Sequence, residues 1–538
     1  MLGRRKHTWI AILVIAVMLL STVGIPATES ASPTAISSAI LKGLSYLASN
    51  QSPGGYWSDG APVASTAMAV LAFENEGFYG WNTSSPYYTT VQDGLNWLFS
   101  QASTVAINGA NSAGNPDVSG DGYGIAWNGD GQSVYETPMV LAAIVASNAP
   151  TNVTTTGPAG VVGLTYKHVA QDIVDWIAWA QNSVPGNGIY EGGWRYGPQY
   201  GTSDNSVSQW PVMGLLAAQL WGVNAPGWVK TELQKWIKSD QDLTGNPNTN
   251  LYYGAFDYLP GYGPGYIVSP AESAAGILEL TYVGASNTNA SILAAEGYLY
   301  RDWHTGTPGD NPDGCSQGWG CGFNYNIGAL YDMYAVMKAM RSTTPTPTTF
   351  IQNYTGTAKI EWYNGTGQYA DALVGNQSSD GHWNNWVNWW ENDGVSNYLG
   401  TAWGTLILEP IPVRVTYTLT VHVNDSSTNN PIPGADVKAV GPTTLMGVAT
   451  SGTVVFTGVQ AGSYNVSASA TGYKSAWKVV DLDANTAITL KLSTSTSPSG
   501  VPEFAIPTAA IAALSLVALA LLSVFRRSKS PRKLIKAP

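Results

Sequence analysis

The first part of the chain alternates between two kinds of apolar pattern. Residues 34–50 are amphipathic with helical spacing, and the apolar positions are Ile40, Leu41, Leu44 and Leu47. A Pro-Gly-Gly turn and Trp57 follow. Residues 64–73 are then an almost uninterrupted apolar run. This order predicts a half-exposed helix, an aromatic loop and a buried helix.

The same unit recurs along the chain, which predicts a repeat architecture. Each further copy pairs an amphipathic segment with an apolar one: 93–102 with a run from Tyr135, 172–181 with Ser208, 228–241 with Ser269, 291–303 with Asn326, and 369–377 with Leu399. Six pairs predict a closed ring of inner and outer helices, because an open array would need polar capping repeats.

The loop of the first copy carries a characteristic order of residues. Between Lys42 and Trp57 come a basic residue, Gly, an aromatic residue, Gln and then Gly-x-Trp. This order resembles the QW repeat of the squalene and hopene cyclases and of the protein prenyltransferase β subunits. The resemblance implies an (α/α)6 toroid over 34–411, whose inner helices all begin at one face, the mouth of the ring.

After Pro412 the apolar period changes from helical to two, which predicts β-strands. The strands expected from this period are TYTLTVHV, VKAV, TVVFTGV, YNVSASA, WKVVDL and AITLKL. The sequence PIPGADV…GSYNVSASATGY resembles the carboxypeptidase regulatory-like domain, which implies a small β-sandwich over 415–494 that acts as a stalk or spacer. The expected fold class is multidomain: an all-α toroid, a small all-β sandwich and a C-terminal transmembrane helix.

Both ends of the chain resemble targeting segments. Residues 1–31 have the basic start and apolar stretch of a signal peptide, or of an uncleaved N-terminal anchor. A Ser/Thr/Pro linker at 495–503 leads to an apolar run at 504–525 of membrane-spanning length and a basic tail at 526–538, which predicts a cytoplasmic C-terminus.

Pro502-Glu503-Phe504, the apolar run and the tail together resemble the PEF-type sorting signals of archaea; an ordinary transmembrane anchor is the alternative. The prediction is a cell-surface protein anchored in the cytoplasmic membrane, with its bulk outside.

The composition of the chain limits the classes of molecule that it is expected to bind. Charged residues make up only 11% of the chain and the net charge is −11, which argues against nucleic acid. The two cysteines, Cys315 and Cys321, are expected to form a disulfide in an exported chain. The Asn-x-Ser/Thr sequons predict a glycoprotein, and they include Asn82, Asn152, Asn289, Asn353, Asn364, Asn376, Asn424 and Asn465.

Two carboxylates open predicted inner helices. Aligning the repeats on the small residue at this position gives a column of Ser65, Glu136, Gln209, Glu272, Asn326 and Gly400. Glu136 and Glu272 are candidates for acid/base catalysis beside the ring cavity. The alternative is that each caps its helix and balances the helix dipole.

The chemistry of the resembling families is not intact here. The cyclase motif Asp-x-Asp-Asp-Thr-Ala has no counterpart before an inner helix. Asp313 and Cys315 have the spacing of the prenyltransferase zinc ligands, but His382 lies in an aromatic loop instead of at the start of the sixth inner helix. Cys315 and Gln317 are one residue too close for a thioester. No cofactor or metal is predicted, and the balance favours a protein that is not an enzyme.

The aromatic loops are the remaining candidates for a binding site. Glycines beside tryptophan would leave ring faces open for stacking on sugars or lipid tails. The predicted ligand-binding residues are Tyr56, Trp57, Trp127, Tyr135, Trp194, Tyr196, Trp210, Trp319 and Trp383. The expected ligand is a glycan or a small apolar molecule, and the resemblance to cobalamin carriers, which join such a toroid to a small β domain, supports binding without catalysis. The alternative is a surface polysaccharide lyase or hydrolase, or a divergent terpene cyclase or prenyltransferase-like enzyme.

Overall fold

The computed structural model describes most of the chain between residues 30 and 495. The described ranges are 30–58, 60–107, 111–129, 131–183, 185–261, 268–305, 330–383, 397–409, 416–440, 444–460, 462–482 and 486–495. The chain divides into two compact units near Pro412, one helical and one built of strands.

In the described part of the first unit, helices alternate between two classes. The outer helices are α1 (Pro33–Ser49), α3 (Tyr88–Ser100), α5 (Tyr166–Ala180), α7 (Gly227–Asp240), α9 (Ala290–Thr305) and α11 (Tyr369–Asn376). The inner helices are α2 (Pro62–Asn75), α4 (Ser133–Ala146), α6 (Asn205–Ala218), α8 (Pro270–Tyr282), α10 (Leu330–Ser342) and α12 (Tyr398–Leu408). Each predicted helix pair corresponds to one outer and one inner helix.

The inner helices pack in a closed cycle. Each contacts the next along the chain, and α12 contacts α2. α2 and α8 are buried along almost their whole length, whereas α1 buries only one face. The outer helix α1 also packs on α12 and α11, so the last repeat adjoins the first. An all-round apolar helix belongs in such an inner layer.

A glycine before the aromatic residue sets the spacing between neighbouring repeats. Gly55, Gly192, Gly254 and Gly381 all have positive φ, and a Cβ on any of them would strike a carbonyl group of an adjacent outer helix. For Gly381 that carbonyl belongs to Lys42 of α1. Only glycine tolerates both the left-handed backbone and this close approach.

Two short hairpins complete the described helical unit. β1 (Ser103–Ala106) pairs antiparallel with β2 (Tyr123–Ala126) before α4. β3 (Phe350–Gln352) pairs with β4 (Lys359–Glu361) between α10 and α11.

The second unit consists of two small sheets. Its strands are β5 (Thr416–Asp425), β6 (Ala435–Val440), β7 (Thr444–Ala449), β8 (Thr453–Gln460), β9 (Gly462–Ser469), β10 (Ala476–Leu482) and β11 (Thr486–Leu492). One sheet has the order β10-β9-β6-β7 and the other β11-β5-β8, with β5 and β11 parallel. Leu419, Val437 and Tyr464 lie in their shared apolar core. The strand period predicted every strand except β7.

Among the described residues, no helix has both the length and the apolar character needed to cross a membrane. Residues 1–29 of the predicted signal peptide, the predicted membrane span at 504–525 and the basic tail at 526–538 lie outside the described residues.

Candidate functional site

Four of the predicted ligand-binding tryptophans occupy the same structural position in different repeats. The indole Nε1 of each donates a hydrogen bond to a backbone carbonyl near the end of the preceding outer helix, where carbonyl groups lack partners within the helix. The pairs are Trp57 to Leu47 (2.8 Å), Trp127 to Leu98 (2.6 Å), Trp194 to Ile177 (3.0 Å) and Trp383 to Leu373 (2.8 Å).

The backbone N–H of the same residue joins the loop to the inner helix. It donates to a hydroxyl in the early turns of that helix, and the pairs are Trp57 to Thr66, Trp127 to Thr137, Trp194 to Ser208, Phe256 to Ser273 and Trp383 to Thr401. Since these four tryptophans are at most 2% exposed, their rings lie in the core and link outer to inner helices. The sequence predicts that these ring faces are open for stacking on a ligand, and the structure shows that they are buried.

This hydroxyl column corrects the alignment of the repeats. Thr137 and Ser273 directly follow Glu136 and Glu272, so the third-repeat residue equivalent to these glutamates is the one before Ser208, which is Val207. The predicted column had placed Gln209 there. The error arose because the third repeat has no small residue before its hydroxyl.

Neither candidate glutamate caps its helix through its side chain. Glu136 is buried, and its Oε2 accepts a hydrogen bond from the backbone N–H of Gly129 at 2.6 Å. In α8 the cap is Ser269, whose hydroxyl accepts from the backbone N–H of Glu272. The side-chain capping alternative is therefore wrong for both, although both lie in a first helical turn where the dipole favours an acid.

Burial favours the protonated form of the Glu272 carboxyl group. Desolvation raises its pKa well above the ordinary value, and the nearby carboxylates of Asp204 and Asp332 raise it further. Burial is also the main cause that raises the pKa values of Asp240 and Glu279 well above their ordinary values. This side of the helical unit therefore holds several carboxyl groups whose neutral form is favoured.

Aromatic side chains from three inner helices meet in what we call the aromatic centre: Trp210 of α6, Tyr331 and Tyr334 of α10, and Trp403 of α12. Trp210 stacks on Tyr334 at 6.0 Å and on Trp403 at 6.4 Å between ring centroids. Tyr331 lies 5.9 Å from Trp403. The indole Nε1 atoms of Trp210 and Trp403 have no hydrogen-bond partner among the described residues.

A buried lysine lies against this centre. The Nζ of Lys338 is 3.8 Å from the centre of the Trp210 ring and donates to Gln209 Oε1 at 2.8 Å. Gln209 Nε2 in turn donates to the hydroxyl of Tyr331 at 2.7 Å. Desolvation lowers the pKa of Lys338 well below its ordinary value. The centre thus combines ring faces with a base whose neutral form is favoured.

Next to the aromatic centre, at the N-terminal ends of α4 and α6, lies a group of tyrosines and one arginine that we call the tyrosine patch. Its members are Tyr135, Tyr196, Tyr200, Tyr258 and Arg195. Tyr135 stacks on Tyr196 at 6.1 Å, and the hydroxyls of Tyr196 and Tyr258 are 2.8 Å apart. Tyr200 is 56% exposed and packs edge-on against Tyr196. Arg195 lies over the rings of Tyr196 and Tyr200.

Asp204 holds the patch to the helices. It caps α6 by accepting from the backbone N–H of Val207, and it also accepts from the hydroxyl of Ser206 at 2.8 Å. Ser206 in turn contacts the hydroxyl of Tyr135 at 2.7 Å, and Arg195 forms an ion pair with the Asp204 carboxylate at 3.3 Å. Burial raises the pKa of Asp204 to about 6 against the opposing effect of these partners.

The tyrosine patch and the aromatic centre are continuous. Tyr135 is 6.4 Å from Trp210, and Tyr331 also donates to the backbone carbonyl of Ser206. Of the predicted ligand-binding residues, the structure thus brings together Tyr135, Tyr196 and Trp210. Tyr56 lies elsewhere, half-buried and stacked on Trp97 of α3.

The remaining residues singled out in the sequence include three that the structure does not describe and His382. Trp319, Cys315 and Cys321 lie outside the described residues, so the disulfide stays a prediction. His382 lies beside Asp380, with 2.6 Å between Nδ1 and Oδ1, in the loop before Trp383.

Sequence reasoning missed one cluster of chemistry-bearing side chains. Asp121, His168 and Asp172 approach one another where the loop before β2 meets α5. The available signal was the stretch Asp-x-Ser-x-Asp-Gly at 117–122, which resembles the start of a calcium-binding loop but has Ser119 at the third position and Asn128 where that loop ends in glutamate.

A comparison with protein families matches residues 418–494 to the carboxypeptidase regulatory-like domain. The matched range covers the second unit almost from β5 to the end of β11 and agrees with the resemblance found in the sequence. A comparison of the chain with curated proteins finds no match.

Proposed function

We propose that this chain is an exported, membrane-anchored surface protein whose helical unit binds a glycan or a small apolar ligand. The helical unit would be an (α/α)6 toroid of the terpene cyclase and prenyltransferase type, and the carboxypeptidase regulatory-like domain would act as its stalk. The closed cycle of six inner helices in the described residues supports the toroid. The export and anchor segments rest on the sequence patterns at 1–31 and 504–525.

The tyrosine patch is the observation that carries the binding proposal. It is partly open to solvent, whereas Trp57, Trp127, Trp194 and Trp383 are not. Its ring faces suit the C–H face of a sugar or an apolar chain, and its hydroxyls and the Arg195 guanidinium can orient polar groups. Such a mixture of apolar walls and a few polar groups is what small-molecule sites share.

The aromatic centre would form the inner wall of this site. Trp210 and Trp403 offer indole N–H groups without partners among the described residues. A buried donor that lacks an acceptor costs free energy, and a ligand oxygen would supply the acceptor. The proposed site would therefore offer ring faces at its opening and indole N–H donors deeper inside, and it would suit a ligand that carries acceptor oxygens.

A second candidate is catalysis on the same ligand. Burial raises the pKa of Glu272 and lowers that of Lys338, which favours the protonated acid and the neutral amine. Glu272 interacts electrostatically with Tyr331, and Lys338 is linked to the Tyr331 hydroxyl through Gln209, so a proton donor and a base lie near this tyrosine. Such pairs with displaced pKa values are the usual basis of acid/base catalysis. A surface lyase, hydrolase or divergent cyclase would use them; the missing Asp-rich motif argues against the cyclase.

The test uses the full-length protein on an array of surface glycans and on isoprenoid lipids in vesicles. Tyr196→Ala and Tyr200→Ala should weaken binding by about 1–1.5 kcal/mol each, roughly 5- to 13-fold in Kd. Tyr354→Ala is the matched control because Tyr354 is 42% exposed and packs edge-on against another tyrosine, Tyr253, far along the chain.

Equal binding by all variants, or no binding to any array member or lipid, would refute the tyrosine patch as the site. Turnover of a bound ligand that disappears in Glu136→Gln or Glu272→Gln, with the fold intact, would instead favour the enzyme.

A further inference from the structure

Three potential metal ligands converge on the outer surface of the helical unit. Asp121 comes from the loop before β2, and His168 and Asp172 lie one turn apart on α5. Each offers one ligand atom, and these atoms all lie within 4.8 Å of one another. We propose that Asp121, His168 and Asp172 bind a divalent transition-metal ion, of which Zn²⁺ is the representative probe.

The distances suit metal ligands better than hydrogen bonds. His168 Nε2 is 3.6 Å from Asp121 Oδ2 and 3.5 Å from Asp172 Oδ2. These separations exceed those of good N–H···O bonds. Nitrogen and oxygen ligands about 2.1 Å from a tetrahedral zinc ion are about 3.4 Å apart, so the two separations from His168 suit a shared ion. The two carboxylates also lie within 4.8 Å of each other, so a small closure of the cluster would bring all three ligands onto the ion.

The buried carboxylate of Asp172 is an independent indication of a cation. Asp172 is 2% exposed, and its Oδ1 has no hydrogen-bond partner among the described residues. This Oδ1 belongs to the same carboxylate whose Oδ2 faces His168. A buried carboxylate oxygen without a partner is costly, and a cation bound by this carboxylate would remove that cost.

The loop that carries Asp121 is already held in place. Asp117 accepts hydrogen bonds from the backbone N–H groups of Gly120 and Gly122. Asp175, one turn after Asp172, accepts from the backbone N–H groups of Val118 and Ser119. Asp117 and Asp175 are thus positioning residues, and the metal would add a link between this loop and α5.

The ligand types favour a transition metal over calcium. An imidazole and two carboxylates are common ligands of zinc, whereas Ca²⁺ prefers six to eight oxygen ligands. Because the side chains of Asp121 and His168 are 40% and 44% exposed, water can complete the coordination.

In the experiment, a chelator first removes bound metal from the full-length protein. The protein is then titrated with Zn²⁺, and calorimetry measures the heat of binding. Co²⁺ in a parallel titration reports the ligands through its visible absorption. We expect one equivalent of Zn²⁺ that is lost, or bound at least tenfold more weakly, in Asp172→Asn and in His168→Gln. His168→Gln changes an exposed side chain, so it keeps the test valid if Asp172→Asn fails to fold.

The repeat supplies a matched control. Asp93 occupies on α3 the position that Asp172 occupies on α5, four residues before an equivalent tryptophan, but Asp93 is exposed. Asp93→Asn should bind Zn²⁺ like the unaltered protein. Zn²⁺ binding that is unchanged in both test variants, or a protein that binds Ca²⁺ but not Zn²⁺, would overturn the proposal.

Discussion

Trp194→Phe tests whether the repeated tryptophans hold the helical unit together. The phenyl ring keeps most of the apolar contact but lacks the indole N–H. The carbonyl of Ile177, at the buried end of α5, then loses its 3.0 Å hydrogen bond. Phe256 occupies the equivalent position in the fourth repeat, so the loop geometry accepts phenylalanine.

The expected loss follows from two effects. An acceptor left without its partner in the core costs about 1–3 kcal/mol. The smaller ring leaves a space that adds about 1 kcal/mol. Together they predict a loss of about 2–4 kcal/mol in the free energy of unfolding, a large part of the ~5–15 kcal/mol of a typical domain. Urea denaturation followed by circular dichroism would measure it.

Trp81→Phe is the matched control. The Trp81 indole also donates to a backbone carbonyl, that of Ser147, at 2.7 Å, but the side chain is 47% exposed. Water can replace that bond, so we expect a loss below about 1 kcal/mol. Equal losses in the two variants would refute the assignment of Trp194 to a buried structural joint.

Two further predictions concern stability. Gly192→Ala should destabilise the protein by more than about 1 kcal/mol beyond Gly201→Ala in the same denaturation assay, because both positions have positive φ but only the Gly192 Cβ would strike the Glu232 carbonyl. Burial raises the pKa of Glu279 well above its ordinary value, so the folded state binds more protons than the unfolded state above about pH 4. Stability should therefore fall as pH rises above about 4, and Glu279→Gln should reduce that slope, whereas an unchanged slope would contradict the assignment.

Local pattern was sufficient for most of the secondary structure. The helical period of α1 and the apolar run of α2 follow from which residues must leave water, and that requirement is visible in the sequence. The same holds for β6, whose residues alternate strictly between buried and exposed. The local pattern did not predict β7, because this strand lies at the edge of its sheet and exposes Met446 and Val448.

The sequence also determined that tryptophan and glycine recur in the loops of all predicted repeats but the fourth, where Phe256 replaces tryptophan, but it did not determine where the rings point. Trp194 and Tyr196 are two residues apart, yet one is fully buried and the other half-exposed. The difference arises because Trp194 faces the carbonyl end of α5, whereas Tyr196 meets Tyr135 and Tyr258 from other repeats. A residue's neighbours in the core come from distant parts of the chain.

Both candidate sites depend on the tertiary structure for the same reason. Lys338 reaches Gln209 and Trp210 only because α10 and α6 are brought together in the helical unit. Asp121 and His168 meet only because the loop before β2 packs on α5. Periodicity shows which side of an element is buried, whereas desolvation, ion pairing and metal affinity depend on which side chains that burial brings within a few ångströms.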